Sequence, residues 1–165
     1  MFVVLGKPFR RASKSRKGNV IMTAEMAPVV LRVGMDGAVA RVPFVADEHG
    51  AGALFREHIG CSLYDVIELD ERTDMWVDDE ALVGLDLSDC EALADALNIV
   101  ATMIASRFGR KQSVFGAVVI SGLAGESAAP LDDEQLARLE QLAAMSVALF
   151  GDALGVRVGG ARLWQ

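Results

Sequence analysis

Seven consecutive residues, Val114-Phe115-Gly116-Ala117-Val118-Val119-Ile120, form a nearly uninterrupted apolar run. A strand that faces water on one side alternates apolar with polar residues, whereas a continuous apolar run marks a strand covered on both faces. The run therefore predicts a central strand, which needs partners on both edges and cover above and below. Candidate partners precede it. From Pro28, VVLRVG and AVARVPF flank Met35-Asp36-Gly37, with alternation at Val30, Arg32 and Gly34 and again at Arg41 and Phe44. Asp-Gly between two apolar runs predicts a β-hairpin. A second strand pair, 63–69 and 75–82, surrounds the polar turn 70–74.

Three helices are predicted. The first covers about 47–59, with Leu54, Phe55 and either His58 or Ile59 on one face and Gly60 as its stop. Ser88-Asp89-Cys90-Glu91 has the S-x-x-E form of a capping box. The helix it opens buries Leu93, Leu97, Val100, Ala101, Ile104 and Phe108 and ends at Gly109, with Asn98 in mid-helix as a buried polar group satisfied by a strand end. After a loop over 122–130, the third begins near Asp132, where Asp132, Asp133 and Glu134 suit the positive end of the helix dipole. It buries Leu136, Leu139, Ala143, Val147 and Phe150.

These elements predict a single α+β domain: a mixed sheet of about five strands with two β-hairpins and three helices. A length of 165 residues at 52% hydrophobic content fits one core. No apolar run approaches the ~20 residues that cross a bilayer. The chain divides into a basic N-terminal arm (1–27), the α+β domain (28–151) and a glycine-containing C-terminal tail (152–165). Leu163-Trp164 in that tail offers either an edge strand or a contact between two copies in a homo-oligomer.

Charge is distributed unevenly. Lys7, Arg10, Arg11, Lys14, Arg16 and Lys17 give the first twenty residues +6 with no acid, and the remaining 145 carry 10 bases against 23 acids, a balance of −13. The acidic body repels phosphates and anionic lipid, which argues against direct DNA binding by the folded part and favours basic protein partners; no membrane association is expected. The arm supports three readings: a nucleic-acid-binding extension, a segment drawn onto the acidic body, or an upstream translational start preceding Met22. Its apolar residues precede its charges, the reverse of a secretory signal, and Phe2 stands where myristoylation needs glycine. With only Cys61 and Cys90, a reducing cytoplasm is the expected compartment.

The residues carry no recognisable catalytic constellation. His49, His58, Cys61 and Cys90 lack the paired C-x-x-C spacing of a zinc site. There is no G-x-S-x-G elbow, phosphate loop or dinucleotide fingerprint, so neither a cofactor nor a metal is implied. The informative feature is instead acidic. Between Asp65 and Asp95 lie twelve acids against the single base Arg72, without the alternate spacing of an EF-hand loop. This stretch reads as an acidic face for a basic protein, a phosphate-mimicking surface, or a solvated face that keeps an apolar chain soluble. Asp74, Trp76, Asp78, Asp79 and Glu80 are the candidate protein-binding residues. Strand alternation puts Trp76 and Asp78 on one face and Met75, Val77 and Asp79 on the other. If Met75 and Val77 face the core, Trp76 either stands exposed among acids as an interface anchor or is covered by a helix.

Tyr64-Asp65-Val66-Ile67-Glu68-Leu69, Met75-Trp76-Val77-Asp78-Asp79-Glu80, Asn98-Ile99-Val100-Ala101-Thr102 and the strand 114–122 follow one another in order. That series resembles a family of small uncharacterised proteins, known as a domain of unknown function, encoded by bacteriophages, plasmids and actinobacterial mobile elements. The likeness spans about residues 29–142. It implies a phage or mobile-element accessory protein and no catalytic residue. The arm, the tail beyond Gly151 and the longer, more acidic stretch 86–97 depart from the pattern. The expected function is a non-enzymatic protein-binding module that engages or inhibits a host protein through its acidic surface. The alternative is nucleic-acid association through the basic arm.

Overall fold

The computed structural model describes residues 27–158. The element order is β1 (Val29–Val33), β2 (Val39–Pro43), α1 (Gly52–Ile59), β3 (Tyr64–Asp70), β4 (Thr73–Asp78), α2 (Cys90–Ala96), α3 (Ile99–Arg107), β5 (Val118–Ala124), β6 (Ser127–Ala129) and α4 (Asp133–Val158). The class is α+β. The strands form one six-stranded sheet in the order β2-β1-β5-β4-β3, with β6 also paired to β5. Every pairing is antiparallel, where a mixed sheet was expected, because β5 runs opposite to both β1 and β4, joining the two hairpins.

The expected central strand is β5, and its residues Val118 to Gly122 are all buried. Its bounds differ from the expectation. Gly116 sits at φ +74, a conformation that ends extended pairing, so 114–117 folds against the start of α3 instead. The strand then runs four residues further, turns at Gly125 and returns as β6, so much of the expected loop 122–130 is a hairpin.

Cover lies on both faces. Leu31, Val33, Met75, Val118 and Ile120 point to α3 and α4, where Val100, Ala101, Ile104, Leu136, Leu139, Ala143 and Leu154 complete the larger core. Val30, Val42 and Val119 point the other way, to Leu54, Phe55 and Ile59 of α1. Helix α1 begins at Gly52 rather than Asp47, because the Asp47 carboxylate accepts the His49 N–H at 2.7 Å and Gly50 takes φ +94, forming a turn instead. It ends as expected at Gly60, left-handed at φ +84, whose N–H bonds Arg56 C=O.

The predicted second helix is two helices. Leu97 and Asn98 have extended ψ angles of 125° and 95°, and Asn98 caps α3 by accepting the Ala101 N–H at 3.0 Å. Asp89, not Ser88, caps α2: its carboxylate accepts from Glu91 and Ala92, while Ser88 donates to Asp86. Helix α4 continues through Gly151 to Val158, so the boundary drawn after Gly151 falls inside a helix. Burial of Leu154 offsets the helical cost of the glycine, whereas Val147 is exposed and Phe150 half-buried. Residues 159–165, including Leu163-Trp164, lie outside the described residues. No described helix is long and apolar enough to cross a membrane.

One close approach yields a prediction. A Cβ on Gly122 would lie 2.6 Å from the Pro130 carbonyl oxygen, a backbone atom. Gly122→Ala is expected to lower the unfolding free energy by about 2 kcal/mol, read by urea denaturation. A loss below about 0.5 kcal/mol would contradict the tight seating of β6 on β5.

Candidate protein-binding surface

The acidic residues belong to the β3–β4 hairpin and the segment that follows it. A tight turn at Glu71-Arg72 joins the strands, held by the Asp70 carboxylate accepting the Arg72 N–H at 3.0 Å. Thr73 and Asp74, expected in the turn, are therefore strand residues, and both are buried. Pairing sets Tyr64 opposite Asp78, Val66 opposite Trp76 and Glu68 opposite Asp74. This face of the hairpin is the one that α1 covers.

Trp76 is consequently not an exposed anchor. Its ring stacks on Phe55 at 4.3 Å between centroids and 16° between planes, meets Tyr64 edge-on, and donates its indole N–H to Ser121 Oγ at 2.9 Å. The side chain is half-buried and belongs to the α1 core. An indole with an apolar body and a satisfied N–H is what such a site selects.

The carboxylates divide into two groups at opposite ends of β4. At its end, half-buried Asp78 accepts the Glu80 N–H at 2.9 Å, which turns the chain out and leaves Asp79 and Glu80 exposed. Asp74, four residues earlier and ~13 Å away along an extended strand, is only 6% exposed. Burial, followed by the charges of Glu68 and Asp70, raises its carboxyl above the ordinary value of 3.8. The chain thus brings Asp78, Asp79 and Glu80 together and separates them from Asp74, while Trp76 is taken into the α1 core.

That raised value has a signed consequence. The folded state holds a proton on Asp74 more tightly than the unfolded state, so this group's contribution to stability falls as pH rises from about 3.8 through the folded value. Asp74→Asn removes the ionisable group and puts an amide donor opposite the Glu68 carboxylate. The variant is expected to exceed the natural chain in stability by about 1–2 kcal/mol at pH 7. The gap should close toward pH 3 in parallel denaturation series. A gap that does not vary with pH contradicts a carboxylate at odds with its surroundings.

Beyond Asp78 the chain is lightly anchored. None of the residues 79–96 is buried, and α2 buries no side chain. Val83 and Leu87 are 74% and 63% exposed, interleaved with Asp79, Glu80, Asp86, Asp89, Glu91 and Asp95. A cavity of about 300 Å³ runs alongside, lined by Asp65, Asp78, Asp79, Leu82, Val114 and Phe115 among others. Among the described residues, Asp78, Asp79 and Glu80 form no ion pair.

A larger cavity of about 430 Å³ opens by the β3–β4 turn, which sequence reasoning missed. Its two arginines are already engaged. Arg138 lies 4.2 Å over the Phe108 ring and 3.6 Å from Asp70, and Arg72 pairs with Asp132. Gln135 donates to Arg72 C=O at 2.7 Å and Thr73 Oγ1 at 3.0 Å. The residues come from four separate elements, and no local spacing announces them.

Other chemistry-bearing groups are scattered. His49 sits exposed beside Glu48 on the turn before α1, and Cys90 is exposed at the start of α2. Cys61 is half-buried, its thiol pushed up by burial and away from the reactive thiolate. Among the described residues no three His, Cys, Asp or Glu side chains are grouped to hold a metal. The arm residues Lys7, Arg10, Arg11, Lys14, Arg16 and Lys17 lie outside the described residues. In the comparisons, no family model, curated protein or solved structure matches the chain.

Proposed function

We propose that the chain is a non-enzymatic protein-binding module, an accessory protein of a phage or mobile element, acting in the cytoplasm of its bacterial host. It engages a basic host protein, and inhibits it, through the acidic segment 78–96. One observation carries the reading: eighteen consecutive residues, 79–96, have no buried member, yet hold exposed Val83 and Leu87 among carboxylates. Acids steer a basic partner into contact, and the apolar side chains supply the desolvated centre that affinity needs. A surface serving solubility alone needs only the charges. The mobile-element assignment rests on the sequence resemblance over residues 29–142.

A second reading, nucleic-acid association through the basic arm, is favoured by the six cations between Lys7 and Lys17. Affinity capture from nuclease-treated host lysate separates the two, using the full chain beside a version starting at Met22. Retention of the same protein by both versions supports the acidic module. Capture by the full chain alone, lost on nuclease treatment, supports the arm.

A further inference from the structure

Asp74 is unusual among the described residues: its Oδ1 is the one buried side-chain oxygen or nitrogen without a hydrogen-bond partner. Its neighbours explain why. On one side β5 offers Ser121, whose single hydroxyl proton goes to Gly122 C=O at 3.0 Å, while the same oxygen accepts from Trp76. On the other, β3 offers Glu68, a second carboxylate. The cations near that turn are committed elsewhere, Arg72 to Asp132 and Arg138 of α4 to Asp70. A desolvated carboxylate beside another carboxylate is costly unless a cation with N–H donors completes it.

We propose that Asp74 and Glu68 form a seat for one cationic side chain, a lysine ammonium or arginine guanidinium, of the basic partner. The inference rests on the acidic-surface reading and adds a contact at the far end of the hairpin. Two carboxylates without a third ligand suit an organic cation better than a metal ion, since its several donors reach both groups. Access is over β3, the terminal strand of the sheet, where Glu68 is exposed. A partner segment lying along β3 would then span both acidic groups, from Asp74 to Asp78.

The test uses the full chain and a synthetic eight-residue arginine-glycine peptide, with affinity measured calorimetrically and the Asp74 carboxyl carbon followed by NMR. Binding should move the pH titration of the Asp74 carboxyl carbon to lower pH, and Asp74→Asn, which keeps the side chain's shape, should weaken binding at least tenfold. An unmoved Asp74 titration, or equal affinity for Asp74→Asn, overturns the seat. Asp79→Lys/Glu80→Lys/Asp95→Lys, measured in parallel, keeps the two readings apart. If that variant alone loses binding, the acidic segment stands and the seat falls; if neither variant loses binding, both fall.

Discussion

Asn98→Ala is expected to lower the unfolding free energy by about 3–4 kcal/mol, a large share of the ~5–15 kcal/mol available to a domain of this size. The side chain is fully buried and makes three hydrogen bonds. Its oxygen accepts the Ala101 N–H at 3.0 Å, and its amide donates to Gly116 C=O at 2.8 Å and Val33 C=O at 3.3 Å. Truncation removes the α3 cap, worth about 1 kcal/mol, and takes the amide donor from a buried carbonyl at Val33 and a part-buried one at Gly116, at up to about 1–3 kcal/mol each before relaxation. Asn98→Ser keeps an acceptor near the cap but loses the amide, so it should fall between the two. Guanidinium denaturation reads both. A loss below about 1 kcal/mol for Asn98→Ala would show that Asn98 does not tie α3 to the end of β1.

Phe55→Ala is expected to cost about 3–5 kcal/mol, the range for removing a buried aromatic ring. Phe55 is 2% exposed and is the centre of the α1 core, stacked on Trp76 and edge-on to Tyr64 at 5.7 Å. The substitution also unroofs Trp76, so in a Trp164→Phe background the emission should shift to the red. Leu87→Ala gives the contrast. At 63% exposed, in a segment with nothing buried, it should stay within about 0.5 kcal/mol of the natural chain. Unchanged emission in Phe55→Ala would contradict the stacked geometry.

The fold was legible where one local signal decides the outcome. Asp36-Gly37 marks the first hairpin, with Gly37 at φ +80, and Gly60 marks the end of α1. The continuous apolar run marks the covered strand. Signals failed where tertiary contacts arbitrate. Asn98 was readable as buried and bonded to a strand end, as its contact with Val33 shows, but not as the start of a new helix. The bridge of Leu97 to Phe115 decides that, and it joins residues far apart in sequence. The choice for Trp76 between exposure and cover by a helix stayed open for a related reason: alternation says which residues share a face, and here both faces are covered, with α1 over Trp76. The extra strand β6 is three residues of Ser-Ala-Ala, without β-forming character of its own.

The candidate surface was legible in part. A run of acids is visible in any sequence, and it marked Asp78, Asp79 and Glu80, which meet at the end of β4 with Asp79 and Glu80 exposed. The burial of Asp74 was not, because it follows from its neighbours on β3 and β5 rather than from its own surroundings in the chain. Nor was the absence of any buried residue over 79–96 visible, since Leu93 read as part of a buried helix face.

The central claim is that the acidic segment, with its exposed apolar residues, binds a basic protein. Its most direct test is the affinity of the captured partner for the natural chain and for Asp79→Lys/Glu80→Lys/Asp95→Lys. All three residues are exposed, and none of their side chains makes a described hydrogen bond, so the fold should persist with an unchanged thermal midpoint. The account predicts about a hundredfold weaker binding for the variant and an affinity of the natural chain that falls as salt rises. Equal affinity of the two proteins for that partner would contradict it.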